Sequence, residues 1–285
     1  MGVILRGLLS LFVLSAFSVA PAAASSVAIY GVTSNQTGLD DVKASVEGAG
    51  VFDAVDAVGI DGSSLDPIDL AAYDAVLLYT DATVANPQAI GDALADYVDA
   101  GGGLVVAMTS YDPTAGFGVG GRVVADGYLP FALGPFAQSA TQLSLVALDP
   151  SHPLLYGVNV VNGGVRNDHH DMDFAQSASQ VADWSNGEPL AGVVTPSSAG
   201  TVVGLNLYPL SRNAFNGSWD RDETDNDLLI ANALAYAAEP GLRAVMRNQL
   251  RQSQQAAEDA VDEFCGGPRE RPNDAFYDGF CGERR

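Results

Sequence analysis

The side chains that could carry out chemistry in this sequence lie in two places. The first is Ser110, which follows the apolar run at residues 104–108, where many α/β enzymes carry a nucleophile. A serine nucleophile requires a histidine base within hydrogen-bonding distance and donors for the oxyanion. Of the three histidines, His169 and His170 are the candidates for that base. The Gly-x-Ser-x-Gly elbow pattern is absent, so serine hydrolysis is an alternative and not the main interpretation.

The second place is the densest polar cluster of the chain, at residues 168–173. Imidazole and carboxylate groups together bind zinc and similar ions. Adjacent residues of a strand point in opposite directions, so only part of the cluster could reach one ion. We interpret it as a solvated loop beside a pocket. The alternative is a metal site, whose ligands would be drawn from Asp168, His169, His170, Asp171 and Asp173.

The charge of the chain excludes several classes of partner. The 285 residues carry a formal net charge of −22, and Lys43 is the only lysine. An acidic surface repels nucleic acids and anionic membranes, so we predict neither as a partner. The acidity also fits a saline habitat or a G+C-rich genome, and the sequence does not separate these origins.

The N-terminal 24 residues have the layout of a secretory signal peptide. Arg6 precedes an apolar run at residues 8–20, and Pro21-Ala22-Ala23-Ala24 offers an Ala-x-Ala cleavage site. The apolar run is shorter than the ~20 residues that span a bilayer. We therefore predict a secreted or periplasmic protein that keeps no stable membrane anchor after cleavage.

The only two cysteines, Cys265 and Cys281, lie close together near the C-terminus. In an exported chain such a pair predicts a disulfide. We expect this bond to close the tail at residues 265–285, which follows a helix at residues 241–264. The polar middle of that helix leaves two interpretations open, an appendage packed on the domain or a surface for a partner.

Residues 25–240 alternate strand and helix patterns. Apolar strands are predicted at residues 27–32, within 52–60, at 75–80 and at 104–108. Between them, apolar residues at helical spacing mark a helix that begins near Leu39 and another that Asn86 caps. Continuous apolar strands separated by amphipathic helices predict a doubly wound, flavodoxin-like α/β fold with a mostly parallel sheet covered on both faces.

The second half of this domain has a different pattern. The glycines at residues 116–121 suit turns in a loop that extends to residue 136. Because no helix clearly starts after them, they are not a nucleotide motif, and we predict no cofactor. After a strand at residues 143–148, strands at 180–184, 189–194 and 201–207 predict an antiparallel meander appended to the parallel sheet. Thr224 is then expected to cap a helix that ends before residue 240.

In doubly wound sheets a ligand binds beyond the carboxyl ends of the strands. The residues that follow the predicted strands there form a small polar set suited to hydrogen bonding. We predict this ligand-binding set to be Thr33, Ser34, Asp81, Ser110 and Tyr111.

Several stretches look familiar, within a region of about residues 26–238; they are residues 73–78, 95–105, 151–157, 182–190, 200–206 and 224–234. These stretches resemble the class I glutamine amidotransferase-like superfamily, and within it the trehalose-utilisation-type and non-catalytic branches. Working members use a cysteine at a Gly-x-Cys-x-Gly elbow with a histidine and a glutamate. The elbow falls here at residues 108–110, which contain no cysteine. Neither methionine nor threonine supplies a thiolate, so glutamine hydrolysis by the family mechanism is excluded.

The main hypothesis is therefore an exported, non-catalytic amidotransferase-like domain that binds a small molecule, a glycan or a protein partner. A hydrolase or metal-dependent enzyme that uses Ser110 or residues 168–173 is the first alternative. A structural or assembly subunit that uses the C-terminal helix is the second.

Overall fold

The computed structural model describes residues 25–114, 116–196 and 200–238. The predicted signal peptide, the helix at residues 241–264 and the tail with Cys265 and Cys281 lie outside these ranges. Export, the domain boundaries at both ends and the disulfide therefore stay predictions. No helix of the described ranges is both long and apolar enough to cross a membrane.

The described chain forms a mixed α/β fold around one eight-stranded sheet. The strands are β1 Ser26–Val32, β2 Ala54–Ile60, β3 Ala75–Thr80, β4 Gly103–Ala107, β5 Phe136–Gln138, β6 Leu145–Ala147, β7 Asp168–His170, β8 Ser179–Trp184, β9 Pro189–Val194 and β10 Val202–Leu205. Their spatial order in the sheet is β2-β1-β3-β4-β10-β9-β8-β6, and β5 pairs with β7 in a separate antiparallel ribbon.

Two hydrophobic layers cover the sheet, one on each face. The helices are α1 Gln36–Gly48, α2 Pro67–Leu70, α3 Pro87–Asp99, α4 Gly121–Ala125 and α5 Asn226–Ala238, with one 3-10 turn at Pro153–Leu155. The helices α1 and α5 lie on one face of the sheet, while α2, α3 and α4 pack on the other. Strands β1, β3 and β4 are almost completely buried, as continuous apolar strands between two helical layers must be.

Local sequence signals account for the two helices that flank the parallel strands. The side chain of Asn86 accepts a hydrogen bond from the amide of Ala89 at 3.2 Å, and Pro87 occupies the first turn of α3. Asn35 caps α1 in the same way through the amide of Gly38. The predicted cap of α3 is confirmed, and α1 begins three residues before the predicted Leu39 because Asn35 supplies its cap.

The strand β10 joins the two halves of the sheet. It runs parallel to β4, with Val203 opposite Val105, and antiparallel to β9, with Gly204 opposite Gly192. The strands β9, β8 and β6 continue the antiparallel part. The predicted meander is confirmed, and its last strand is also the fifth strand of the parallel sheet.

The structure corrects two predictions about the irregular segments. A five-residue helix, α4, starts at Gly121, the last glycine of the run that the sequence suggested was only a loop. Thr224 does not cap the last helix, because its hydroxyl donates to the carbonyl of Asp220 at 2.8 Å. The carbonyl of Asp225 instead accepts the amide of Leu229, so α5 begins at Asn226.

Candidate functional site

The turn after β4 has the geometry of an elbow, with Thr109 at its tip. Thr109 has a φ of 73°, and it is one of two non-glycine residues with positive φ in the described ranges. This region is unfavourable for a β-branched side chain, so the surrounding contacts must hold the turn in place. The hydroxyl of Thr109 donates to the carbonyl of Thr80, at the end of the neighbouring strand β3. Thr109 is partly exposed, whereas Met108 and Ser110 on either side are buried.

A histidine from the separate ribbon reaches this elbow. His170, in β7, is completely buried, and its Nε2 accepts the backbone N–H of Thr109 at 3.2 Å. Its Nδ1 lies 2.8 Å from the carbonyl oxygen of Gly134. Because a carbonyl only accepts, Nδ1 carries the proton and the ring is neutral. Burial lowers the pKa of His170, against the opposing effects of the Gly134 carbonyl and the Asp112 charge.

Asn206 fixes the backbone of His170 in this position. Its side-chain oxygen accepts the amide of His170 at 2.8 Å, and its side-chain nitrogen donates to the carbonyls of His170 and Pro189 at 2.9 and 2.8 Å. Asn206 is fully buried directly after β10. One amide therefore connects the ribbon β5–β7 to the end of the central sheet, and the sequence contains no signal that would distinguish it from other asparagines.

The elbow does not form a nucleophile–base pair. The lone pair of His170 Nε2 is engaged by an amide, and the Thr109 hydroxyl donates its proton to a carbonyl. General-base activation requires the hydroxyl to donate to the histidine. The contacts observed here shape the turn and do not activate an oxygen.

Ser110 and Tyr111 are predicted to belong to the ligand-binding set at the carboxyl ends of the strands. In the structure both lie below the surface. Both residues are completely buried, and neither hydroxyl has a hydrogen-bond partner among the described residues. The ring of Tyr111 packs against Phe131, with 5.3 Å between ring centroids. After the elbow the chain enters the hydrophobic layer on this face, since Tyr111 belongs to the same buried apolar cluster as the residues of α3.

Thr33 and Ser34 do line an open pocket at the carboxyl ends of β1, β2 and β3. We call this pocket the β1–β3 crevice; it measures about 510 Å³, and its polar lining consists of Thr33, Ser34, Gln36 and Asp61. Hydrogen bonds from Ser63 lower the pKa of Asp61, so its carboxylate is charged at neutral pH. Asp81 is exposed beside the lining residue Ala82 and accepts the hydroxyl of Tyr208 at 2.9 Å.

The polar cluster at residues 168–173 does not converge on one point. His170 points to the elbow, whereas the Nε2 of His169 lies 3.1 Å from Asn186 and 3.4 Å from Asp171. Asp168 pairs with Arg166 at 2.8 Å, and Asp171 and Asp173 are exposed. Within the described ranges no three His, Cys, Asp or Glu side chains are placed to hold a metal ion. The interpretation as a solvated loop is also corrected, since residues 168–170 form the buried strand β7.

Comparisons with known proteins find similarity in structure and not in sequence. No protein-family model matches the chain, and no curated protein matches it. A cytoplasmic protein of Salmonella typhimurium superposes with a TM-score of 0.54 at 14% identity, over 74% of this chain and 98% of its own. This likeness shows a common fold.

Two further solved structures are similar with lower scores. A protein of Bacteroides uniformis described as ThuA-like gives a TM-score of 0.47 at 16% identity, over 76% of this chain and 93% of its own. A glutamine amidotransferase of Thermotoga maritima gives 0.43 at 11% identity, over 80% and 99%. ThuA-like and amidotransferase structures are among the structural neighbours of the chain.

Proposed function

We propose that this protein is a non-catalytic amidotransferase-like domain that binds a small polar molecule in the β1–β3 crevice, and that it works after export from the cytoplasm. The observation that supports the first part is the elbow. Thr109 keeps the left-handed turn, but its hydroxyl and the His170 ring are each engaged by backbone groups. A site that retains this shape without an activated nucleophile is suited to recognition.

The chemistry of the crevice favours a neutral or cationic ligand rich in hydroxyl or amine groups. The lining offers two hydroxyls, one amide and the charged carboxylate of Asp61, and it contains no lysine or arginine. Its volume lies within the usual range of ~300–1,000 Å³ for small-molecule sites. The position past the carboxyl ends of parallel strands is where doubly wound proteins bind ligands.

A binding screen tests this proposal. We expect amine-bearing or polyhydroxylated small molecules to raise the melting temperature of the purified protein, and Gln36→Ala with Asp61→Asn to abolish the shift. The exposed lining residue Gln142, far along the chain in another loop, provides the control Gln142→Ala. An increase in melting temperature that persists in the double variant would contradict binding in the crevice. Binding of a glycan or a protein at another surface would contradict it as well.

An activity assay tests the absence of catalysis. We expect no hydrolysis of glutamine or of an ester panel above the rate of the buffer. Steady turnover that disappears in Thr109→Ala or Ser110→Ala would overturn the proposal and support the hydrolase alternative. Ser110 itself gives that alternative little support, because its hydroxyl is buried and has no histidine partner among the described residues.

A further inference from the structure

A second and larger cleft lies between three loops of the antiparallel half. It measures about 780 Å³ and is bordered by residues 140–142, 162–167 and 212–223. Asn167, which has a φ of 49°, and the glycines Gly164 and Gly217 shape its walls with positive-φ backbone. None of its lining residues belongs to the β1–β3 crevice or to the elbow. We call it the loop cleft.

The loop cleft is lined by one of the few cationic side chains of the described residues, that of Arg212. The described ranges contain five lysine and arginine residues, Lys43, Arg122, Arg166, Arg212 and Arg221. Of these, Arg212 lines the loop cleft; Arg166 does not line it, although its sequence neighbours Val165 and Asn167 do. The lining of the loop cleft therefore holds one guanidinium group, that of Arg212, together with the carboxylates of Asp220 and Glu223.

The guanidinium groups of Arg212 and Arg166 keep unused donors. Nη1 of Arg212 pairs with Asp220, but its Nε and Nη2 have no partner among the described residues. The Nε of Arg166 donates to Asp168 at 2.8 Å and its guanidinium lies 5.1 Å from the Phe215 ring centroid, which leaves both terminal nitrogens without a described partner. By contrast, all three nitrogens of Arg122 are paired with Asp96, Asp99 and Asp126.

The neutral side chains of the loop cleft add further donors. The amide groups of Gln142 and Asn216 are exposed and make no hydrogen bond to the described residues, and the side-chain nitrogen of Asn162 is equally unused. The carboxylate of Asp220 is occupied on both oxygens, by Arg212 and by the amide of Asp222. Glu223 is the one lining carboxylate that remains open. Beside Arg212, the loop cleft thus offers uncommitted amide donors as well as the one open carboxylate.

We propose that the loop cleft binds a small oxyanion ligand, a carboxylate or a phosphate, through the free edge of the Arg212 guanidinium. A planar guanidinium donates two parallel hydrogen bonds to either group, and the amides of Gln142 and Asn216 lie on the same walls to orient the rest of the ligand. The ligand class differs from that of the β1–β3 crevice, whose only charged lining group is a carboxylate.

Calorimetric titration with succinate, inorganic phosphate and the neutral diamide succinamide tests the proposal. We expect saturable binding of at least one anion at constant ionic strength, no binding of succinamide, and an affinity at least about tenfold lower in Arg212→Gln. Arg212→Lys keeps the charge without the fork and should fall between the two. The anion that binds more tightly shows whether the loop cleft prefers a carboxylate or a phosphate.

Two variants serve as controls. Arg122→Gln removes a cation whose nitrogens are already paired, and Gln36→Ala alters the β1–β3 crevice; both should bind the anion as the original protein does. Circular dichroism confirms that Arg212→Gln remains folded. Equal binding of succinamide, unchanged affinity in Arg212→Gln, or no saturable binding of either anion would overturn the proposal.

Discussion

At the scale of single residues, the elbow depends on contacts that only the folded chain brings together. Thr109 lies in a left-handed turn, His170 comes from a ribbon some sixty positions later, and Asn206 follows the last strand. The sequence identified the elbow segment and both neighbouring histidines as candidates. It could not indicate that Thr109 has positive φ, because threonine is not a residue that favours this conformation.

The positive φ of Thr109 predicts that a glycine variant at this position is more stable than an alanine variant, the reverse of the usual order. Alanine and glycine both remove the hydroxyl, but only glycine adopts positive φ without a steric cost. We therefore expect Thr109→Gly to be more stable than Thr109→Ala by about 1 kcal/mol, measured by urea unfolding. At an ordinary loop position alanine would be equal or better, and that result would show that Thr109 is not strained.

The buried amide of Asn206 predicts a large effect on stability. Asn206→Ala removes three hydrogen bonds and leaves the amide of His170 and two carbonyls unpaired in the interior, so we expect a loss of about 2–4 kcal/mol in the free energy of unfolding. Asn213, an exposed residue of a neighbouring loop, is the matched control, and Asn213→Ala should change the free energy by less than ~0.5 kcal/mol. Similar losses in both variants would argue against the assigned role of Asn206.

The lowered pKa of His170 predicts a pH dependence of stability. Because the folded protein disfavours the protonated ring, the unfolded chain binds more protons as the pH falls through the ordinary histidine value near 6.5. Stability should be fully present above that value and decrease below it, until the lower folded pKa is reached. Besides burial, the groups that influence the pKa of His170 are Asp112, His169 and the carbonyls of Gly134 and Pro135.

Melting temperatures between pH 7.5 and 5 test this dependence. We expect the original protein to lose more stability over this interval than His170→Gln, which lacks the titrating ring. If both proteins show the same slope, the dependence comes from other groups. His152, which accepts the amide of Leu154 and stacks on Tyr236, provides a second histidine for comparison.

At the scale of elements, hydrophobic periodicity and helix caps determined most of what the sequence could predict. The strands β1, β3 and β4 and the helix α3 lie where their apolar patterns place them, because each packs continuous apolar residues against a neighbouring layer. The strands β5 and β7 have three residues each, too few for any periodicity. For this reason residues 168–170 resembled a polar loop, although tertiary packing buries them.

An ion-pair network joins α1 to the loop before α5. The carboxylate of Asp41 is buried and accepts Arg221 at 3.1 Å as well as the amide and hydroxyl of Ser211 at 2.7 and 2.9 Å. Arg221→Met leaves this buried carboxylate without its cation, so we expect a loss of about 2–4 kcal/mol in chemical unfolding. Arg122→Met breaks an exposed network on α3 and should cost less than ~1 kcal/mol. Comparable losses would contradict the importance of burial.

At the scale of the whole molecule, the folded core and the predicted disulfide lie in different parts of the chain. The described residues between 25 and 238 have their own two-layered core, and both cysteines lie beyond them in the sequence. We expect one intramolecular bond between Cys265 and Cys281 in exported protein. Its reduction should expose the tail to proteolysis while the main thermal transition remains, and mass spectrometry that finds two free thiols in the exported fraction would contradict the bond.

The double pairing of β10 also has a consequence for the order in which the molecule folds. β4 gains its second neighbour only when β10 joins it, almost a hundred residues later in the chain. Contacts of such long sequence separation form slowly, because the intervening chain must first be closed into a loop. During synthesis β4 therefore leaves the ribosome before its second neighbour, and one of its edges stays unpaired until β10 has emerged. The turn at Thr109 also needs its contact with His170. We therefore expect this turn to be one of the last parts of the domain to reach its final conformation.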